Sequence, residues 1–229
     1  MSHNGFFITL EGPEGSGKSS QGRWLVRALR RAGCQAVFIR DPGSTALGRA
    51  LRRLLLQSDA ALSPMAEALV FIGGRVALVE ERIRPALRRR QVVVCDRFHD
   101  STVAYQGFGG GLDVRWLDRV GRRAIGGCLP SLTILLDVPT AQGFARLHRG
   151  RDRMERKALA FHRRVRAGYL RLARREPTRV VVIDASQPAD AVRAQLLKRC
   201  QTALSNSRWD DRKKCQTPFD QSSRIGKGV

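Results

Sequence analysis

Gly12-Pro13-Glu14-Gly15-Ser16-Gly17-Lys18-Ser19 follows directly on the apolar run Gly5 to Leu10 and opens a helical pattern from Lys18 to Ala32. The octet matches G-x-x-x-x-G-K-[ST]. Its glycines let backbone amides curl around a phosphate chain, its lysine reaches the outer phosphates and its serine hydroxyl ligates Mg²⁺. The helix that follows aims its positive N-terminus at the same anion. On that helix Trp24, Leu25, Ala28 and Leu29 take one face, and Arg23, Arg27, Arg30 and Arg31 the other. A nucleoside triphosphate with Mg²⁺ is therefore the expected ligand, gripped by Gly12, Pro13, Glu14, Gly15, Ser16, Gly17, Lys18 and Ser19. Of the 42 basic residues only six are lysines, and Lys18 is the one lysine before residue 157. A chain that otherwise uses arginine keeps a lysine where a compact ammonium fits and a guanidinium fork does not.

Outward from the loop, strands and helices alternate. Gly33 is a natural helix stop and Ala36 to Ile39 reads as the next strand. Three more apolar runs each end on an acid: Val92-Val93-Val94-Cys95-Asp96, Thr133-Ile134-Leu135-Leu136-Asp137 and Val180-Val181-Val182-Ile183-Asp184. Continuous β-branched runs separated by helical patterns predict strands buried on both faces of a parallel sheet. The expectation is an α/β P-loop NTPase fold, a parallel sheet of about five strands with helices on both faces. At 229 residues and 42% hydrophobic the chain has room for one sizeable domain. Residues 1–200 are expected to form it. Residues 201–229, rich in Ser, Gln and Asp and without apolar period, are expected to be a disordered tail.

The formal net charge is +22, the footprint expected of a nucleic-acid binder. The basic stretches are not interleaved with aromatics, which make up 6% of the chain, and this weakens the case for a stacking platform for single strands. The favoured reading is a solvated basic surface with a minority of arginines gripping a small phosphorylated ligand, and neither nucleic acid nor membrane as partner. No apolar run approaches the length of a membrane span, and the start lacks a charged segment followed by a long apolar one. Five scattered cysteines without C-x-x-C spacing predict buried thiols in a reducing cytoplasm.

A second set of signals narrows the class. Arg40-Asp41-Pro42-Gly43-Ser44-Thr45 follows the second strand, and Asp96-Arg97-Phe98 ends the third, with Ser101-Thr102 and Ala104-Tyr105-Gln106-Gly107 beyond it. Strand ends at the carboxyl edge of a parallel sheet are where ligands bind. Phe71, with Arg75 one helical turn on, suits a base that is stacked and hydrogen-bonded at its edge; from spacing alone, core packing of Phe71 is equally open. The four histidines read as bystanders, since their spacing suits no metal site.

On these segments, together with Phe7-Ile8-Thr9-Leu10-Glu11-Gly12 and Asp152-Arg153-Met154-Glu155, the chain resembles the bacterial thymidylate kinases from about Phe7 to Leu197. The resemblance implies phosphorylation of deoxythymidine monophosphate by ATP with Mg²⁺, in a cytoplasmic homodimer. It implies Glu14 near the sugar 3′-hydroxyl, Arg97 on the monophosphate, and Arg40 in the segment that closes over it. Phe71 would stack on thymine, Arg75 would bond its O4 and Thr102 would meet its N3 edge. Ser101 and Gln106 would complete the acceptor site, and Tyr105 would crowd the 2′ position. Lys18 and Arg97, with Arg149 and Arg153 of a lid at about 146–156, would neutralise the transferring phosphoryl group. Ser19 and Asp96 would hold Mg²⁺. Two departures from the family pattern stand out: Asp41 replaces the usual glutamate, and Gly110 replaces an expected arginine. Another nucleoside monophosphate as substrate, or a basic nucleotide- or DNA-binding module without catalysis, are the alternatives.

Overall fold

Each of the five apolar runs becomes a strand in the computed structural model, which describes residues 5–57, 61–147, 152–207 and 209. The strands are β1 (Phe6–Glu11), β2 (Ala36–Arg40), β3 (Val92–Asp96), β4 (Leu132–Asp137) and β5 (Val180–Asp184). They form one sheet in the order β2-β3-β1-β4-β5, parallel throughout, with Phe7 beside Val93 and Leu10 beside Ile134. All six residues of β1 are buried, as a central strand covered on both faces requires.

The helices are α1 (Lys18–Arg31), α2 (Ala46–Gln57), α3 (Pro64–Leu78), α4 (Arg84–Arg88), α5 (His99–Thr102), α6 (Val114–Ala124), α7 (Thr140–Ala145), α8 (Leu159–Arg175) and α9 (Ala189–Ser205). Ser63 caps α3, with Pro64 in its first turn and its hydroxyl accepting from the Ala66 amide. A π-helical turn, Val79–Ile83, joins α3 to α4, and a second, Val103–Gly109, continues α5. Such turns concentrate at functional sites, and the second one carries Tyr105 and Gln106.

Alternation along β1 divides the core. Phe6, Ile8 and Leu10 join Leu25 and Leu29 of α1 and Leu196 of α9 on one face. Phe7 joins Leu78, Ile83 and Leu87 on the other. A third cluster joins Leu135 to Tyr105, Phe161, Val165 and Tyr169 beneath α8. Helices on both faces are therefore as expected, and so are the strands to within a residue or two.

Two expectations need correction. The boundary at residue 200 cuts through α9, which runs to Ser205; Leu204 and Trp209 are buried in the main core, and the Trp209 indole N–H donates to the Arg90 carbonyl at 2.9 Å. The remainder of the expected tail lies outside the described residues. Cys95, Cys128 and Cys200 are buried free thiols, as expected, whereas Cys34 is disulfide-bonded. Among the described residues no helix is long and apolar enough to cross a membrane.

Candidate active site

At the carboxyl ends of β1, β2 and β3 the chain encloses a cavity of about 410 Å³, within the range of small-ligand sites. The sheet order reverses around β1, and the crevice at such a switch point is where open parallel sheets bind ligands.

The phosphate loop forms the floor at one end. Gly15 and Gly17 have φ of 67° and 83°, the left-handed region that glycine reaches without strain; a Cβ on Gly15 would also collide with the Gly143 carbonyl. Lys18, buried at the start of α1, donates from Nζ to the carbonyls of Gly12 (3.0 Å) and Pro13 (2.7 Å) and to Ser16 Oγ (3.1 Å). Burial first, and the Arg97 charge second, bring its pKa down to about 8, against the pull of Glu14, Asp96 and Glu11. Ser19 Oγ donates to Asp96 Oδ2. Arg40 reaches the same pair, Nη2 to Ser19 Oγ at 2.9 Å and Nε to Asp96 at 3.4 Å.

Arg97 is the hub between this floor and the opposite wall. Its φ of 67° is exceptional for a non-glycine residue; such backbone costs on the order of 1–3 kcal/mol and persists only where the surroundings impose it. Here they do: Nη2 donates to both Glu14 oxygens and to Tyr105 Oη, all at 3.0 Å. The guanidinium also lies 4.9 Å from the centre of the Tyr105 ring. Burial would push the Glu14 carboxyl up, but Arg97, Lys18 and the Tyr105 hydroxyl outweigh it and hold it at about 2. Beneath them, fully buried Glu11 accepts from the Phe98 amide (2.7 Å), the Ser101 hydroxyl (2.5 Å) and the Tyr169 hydroxyl (3.0 Å). Burial, then the neighbouring Asp100 charge, raises the Glu11 pKa to about 7. Two carboxylates three residues apart thus take opposite shifts, one facing cations and the other held inside the protein.

Phe71, Arg75, Thr102 and Gln106 line the far end. Arg75 is buried and pairs through Nε with Asp41 at 2.5 Å, while its Nη1 and the Thr102 hydroxyl have no protein partner. A buried donor and a buried hydroxyl on one cavity wall are groups that a polar ligand edge would satisfy.

The cavity therefore gathers the expected Glu14, Gly15, Gly17, Lys18, Ser19, Arg40, Phe71, Arg75, Asp96, Arg97, Ser101, Thr102, Tyr105 and Gln106. Gly12, Pro13 and Ser16 support the loop from behind the cavity lining. Arg153 is not brought to the cavity: its guanidinium bonds Glu67 Oε1 (2.8 Å) and the Leu55 carbonyl (2.8 Å). Arg149 lies outside the described residues, as do His3 and His148. His99 pairs with Asp118 at 2.9 Å, and His162 is buried beside the rings of Phe144 and Phe161. Sequence reading assigned no role to Glu11, Asp41, Glu67 or Tyr169. Only Asp41 and Glu11 carried a signal, each being a charged residue within a recognised segment.

Ser19 and Asp96 offer hard oxygen atoms side by side at the phosphate end, a donor set that suits Mg²⁺, which takes one or two protein ligands and completes its shell with substrate phosphates and water. Among the described residues no group of three or more His, Cys, Asp or Glu could hold a metal by itself.

Most of the chain is similar to proteins of one family. The sequence model of a family described as thymidylate kinase matches residues 10–196. The thymidylate kinase of Thermomicrobium roseum is 49% identical over 190 residues, covering 82% of this chain and 90% of the relative. That of Deinococcus radiodurans is 45% identical over 194 residues, 84% of this chain and 94% of the relative. The crystal structure of thymidylate kinase from Ehrlichia chaffeensis superposes with a TM-score of 0.71 at 32% identity, over 86% of this chain and 98% of the other.

Proposed function

The chain belongs to the thymidylate kinase family, and from that premise we propose how its residues divide the work of phosphorylating deoxythymidine monophosphate to the diphosphate. The observation that carries the division is that one cavity is lined both by the phosphate-loop residues Glu14, Gly15, Gly17, Lys18 and Ser19 and by Phe71, Arg75, Arg97 and Thr102.

The donor is ATP, its phosphates wrapped by the amides of residues 12–19 and met by Lys18. Ser19 and Asp96 would hold Mg²⁺, which supplies neutralising charge on the donor's outer phosphates when bound. At the other end thymine stacks on Phe71, and its O4 edge accepts from Arg75 Nη1. Thr102 answers the N3 edge. Both polar groups have no protein partner and line the same wall. Asp41 orients Arg75 through the ion pair at 2.5 Å, with a side chain one methylene shorter than the glutamate of the family pattern.

Arg97 holds the acceptor phosphate, Arg40 closes over it, and Ser101 and Gln106 complete the wall. Glu14, kept ionised at neutral pH by Arg97, receives the sugar 3′-hydroxyl. Tyr105, hydrogen-bonded to Glu14 and Arg97, occupies the space a 2′-hydroxyl would need and so favours deoxyribose. Phosphoryl transfer asks for in-line positioning and charge neutralisation with little covalent chemistry from the protein. Lys18 and Arg97 meet that demand, with Arg149 as the lid cation. Arg153 acts by seating the lid, the role its bonds to Glu67 and Leu55 support. The enzyme works as a cytoplasmic homodimer; exposed Leu47, Leu54, Met65 and Leu69 on α2 and α3 supply an apolar surface for pairing.

The test is ADP release coupled to ATP, Mg²⁺ and each common monophosphate in parallel. Preference for deoxythymidine monophosphate is expected. Preference for another monophosphate would displace the base pocket, and no turnover would overturn the acceptor site.

A further inference from the structure

Glu67 lies in the first turn of α3, 1% exposed. Its carboxylate is fully engaged with one wall of the cavity and with the segment that covers it. Oε1 accepts from Arg153 Nη1 at 2.8 Å and Lys157 Nζ at 2.9 Å. Oε2 accepts from Lys157 Nζ at 3.0 Å and Gln106 Nε2 at 3.0 Å. Arg153 is further tied to α2, its amide donating to the Leu56 carbonyl at 3.0 Å and its Nε to the Leu55 carbonyl at 2.8 Å. Lys157 Nζ rests 4.8 Å from the centre of the Phe161 ring. Gln106 lines the cavity, and so do Asp152, Met154 and Glu155 of the segment that Arg153 and Lys157 belong to.

One buried carboxylate thus joins two mechanical parts. Charge-assisted bonds of this length are the strong class. Removing the negative charge leaves two cations, Arg153 and Lys157, facing a neutral group in a buried site, which favours their departure into solvent. We infer that Glu67 is a positioning residue, a latch whose carboxylate couples the seating of residues 152–157 to the placement of the acceptor by Gln106. Acceptor binding that steadies Gln106 steadies the latch and the cover with it. By reciprocity a seated cover tightens the acceptor. The inference rests on the acceptor end of the cavity taking the monophosphate.

The test is Glu67→Gln, which keeps size and one acceptor oxygen but removes the charge. Its KM for deoxythymidine monophosphate should rise on the order of tenfold, toward the low end of the usual range for coupling between sites, with kcat lowered and the KM for ATP changed by less than about twofold. Hydrogen exchange gives the readout that a merely structural role would not move. Deoxythymidine monophosphate alone should slow exchange in residues 152–157 of the wild type and fail to do so in Glu67→Gln. Glu67→Asp should recover part of both effects. Should Glu67→Gln not fold, Lys157→Met, altered at a part-exposed side chain, is expected to move the same two readouts in the same direction. A folded variant with wild-type KM and wild-type protection would overturn the latch, as would equal rises in both KM values. A wild type that neither turns over nor is protected by deoxythymidine monophosphate would overturn the acceptor assignment itself, and the latch with it.

Discussion

Trp209→Ala should cost stability and spare catalysis. The side chain is 3% exposed, belongs to the core cluster with Leu29, Leu196 and Leu204, and donates its indole N–H to Arg90. A tryptophan buries about 150–250 Å², which at about 25 cal/mol per Å² corresponds to about 4–6 kcal/mol. An unfolded chain that already buries part of this surface reduces the figure to about 3–5 kcal/mol, the range seen for large aromatic truncations in cores. The Arg90 carbonyl loses its partner for about 1 kcal/mol more. At about 2–4 °C per kcal/mol for a domain of this size, the resulting loss of about 4–6 kcal/mol should lower the melting temperature by roughly 8–24 °C. Trp209→Phe, which keeps one six-membered ring but loses the N–H and the rest of the indole, should fall by at least about 2–4 °C and by less than Trp209→Ala. Arg90 precedes β3 at its N-terminal end, and the cavity lies off the other end, about 17 Å away at a strand's rise per residue. Thermal denaturation followed by circular dichroism, with steady-state kinetics at 25 °C, separates the two effects. A melting temperature within about 2 °C of wild type would refute the burial of Trp209 and restore the tail boundary at residue 200. An altered KM for either substrate would refute the separation of the two ends.

Lys18→Ala should lower kcat by about two to three orders of magnitude, the usual cost of removing one preorganised charge from a transition state, in the same coupled assay; unchanged turnover would remove the phosphate-loop assignment. Arg97→Ala should raise the KM for the monophosphate more than that for ATP, and the reverse pattern would place the acceptor elsewhere. Glu14, held at about 2 against an ordinary 4.5, contributes stability present above pH 4.5 and lost as the pH falls toward 2. Glu14→Gln should flatten that acid limb in denaturant titrations. Glu11, raised to about 7, acts in the opposite sense: between pH 4.5 and 7 the folded state binds more protons than the unfolded, so stability falls as pH rises. Glu11→Gln should remove that slope, and an unchanged pH profile would contradict the raised pKa.

The phosphate loop was legible because every part of it is local. Gly15 and Gly17 need positive φ and Lys18 needs only to begin the helix, so eight consecutive residues contain the whole requirement. The five strands were legible for a similar reason, each being a short β-branched run bounded by glycine or an acid. What escaped the reading was decided by distance in sequence. Glu67 looks like an ordinary acid in the first turn of a helix until Gln106, Arg153 and Lys157 arrive from other elements. Trp209 sits in a polar stretch with no period, because a single anchoring side chain leaves none.

The sequence by itself determined the fold class, the glycine-rich loop that lines the cavity and the order of the strands along the chain, since each depends on contiguous residues and on the backbone they permit. The tertiary structure alone decided which charges share an environment. Glu11 and Glu14 stand three residues apart, yet one is held by Ser101, Tyr169 and the Phe98 amide and the other by Arg97 and Tyr105, and their protons answer in opposite directions. The same holds for Arg153, expected at the transferring phosphate and found on Glu67. A side chain's charge is written in the sequence, but its partner is chosen by the packing that brings distant segments within about 3 Å, and at that range the partner governs what the charge does.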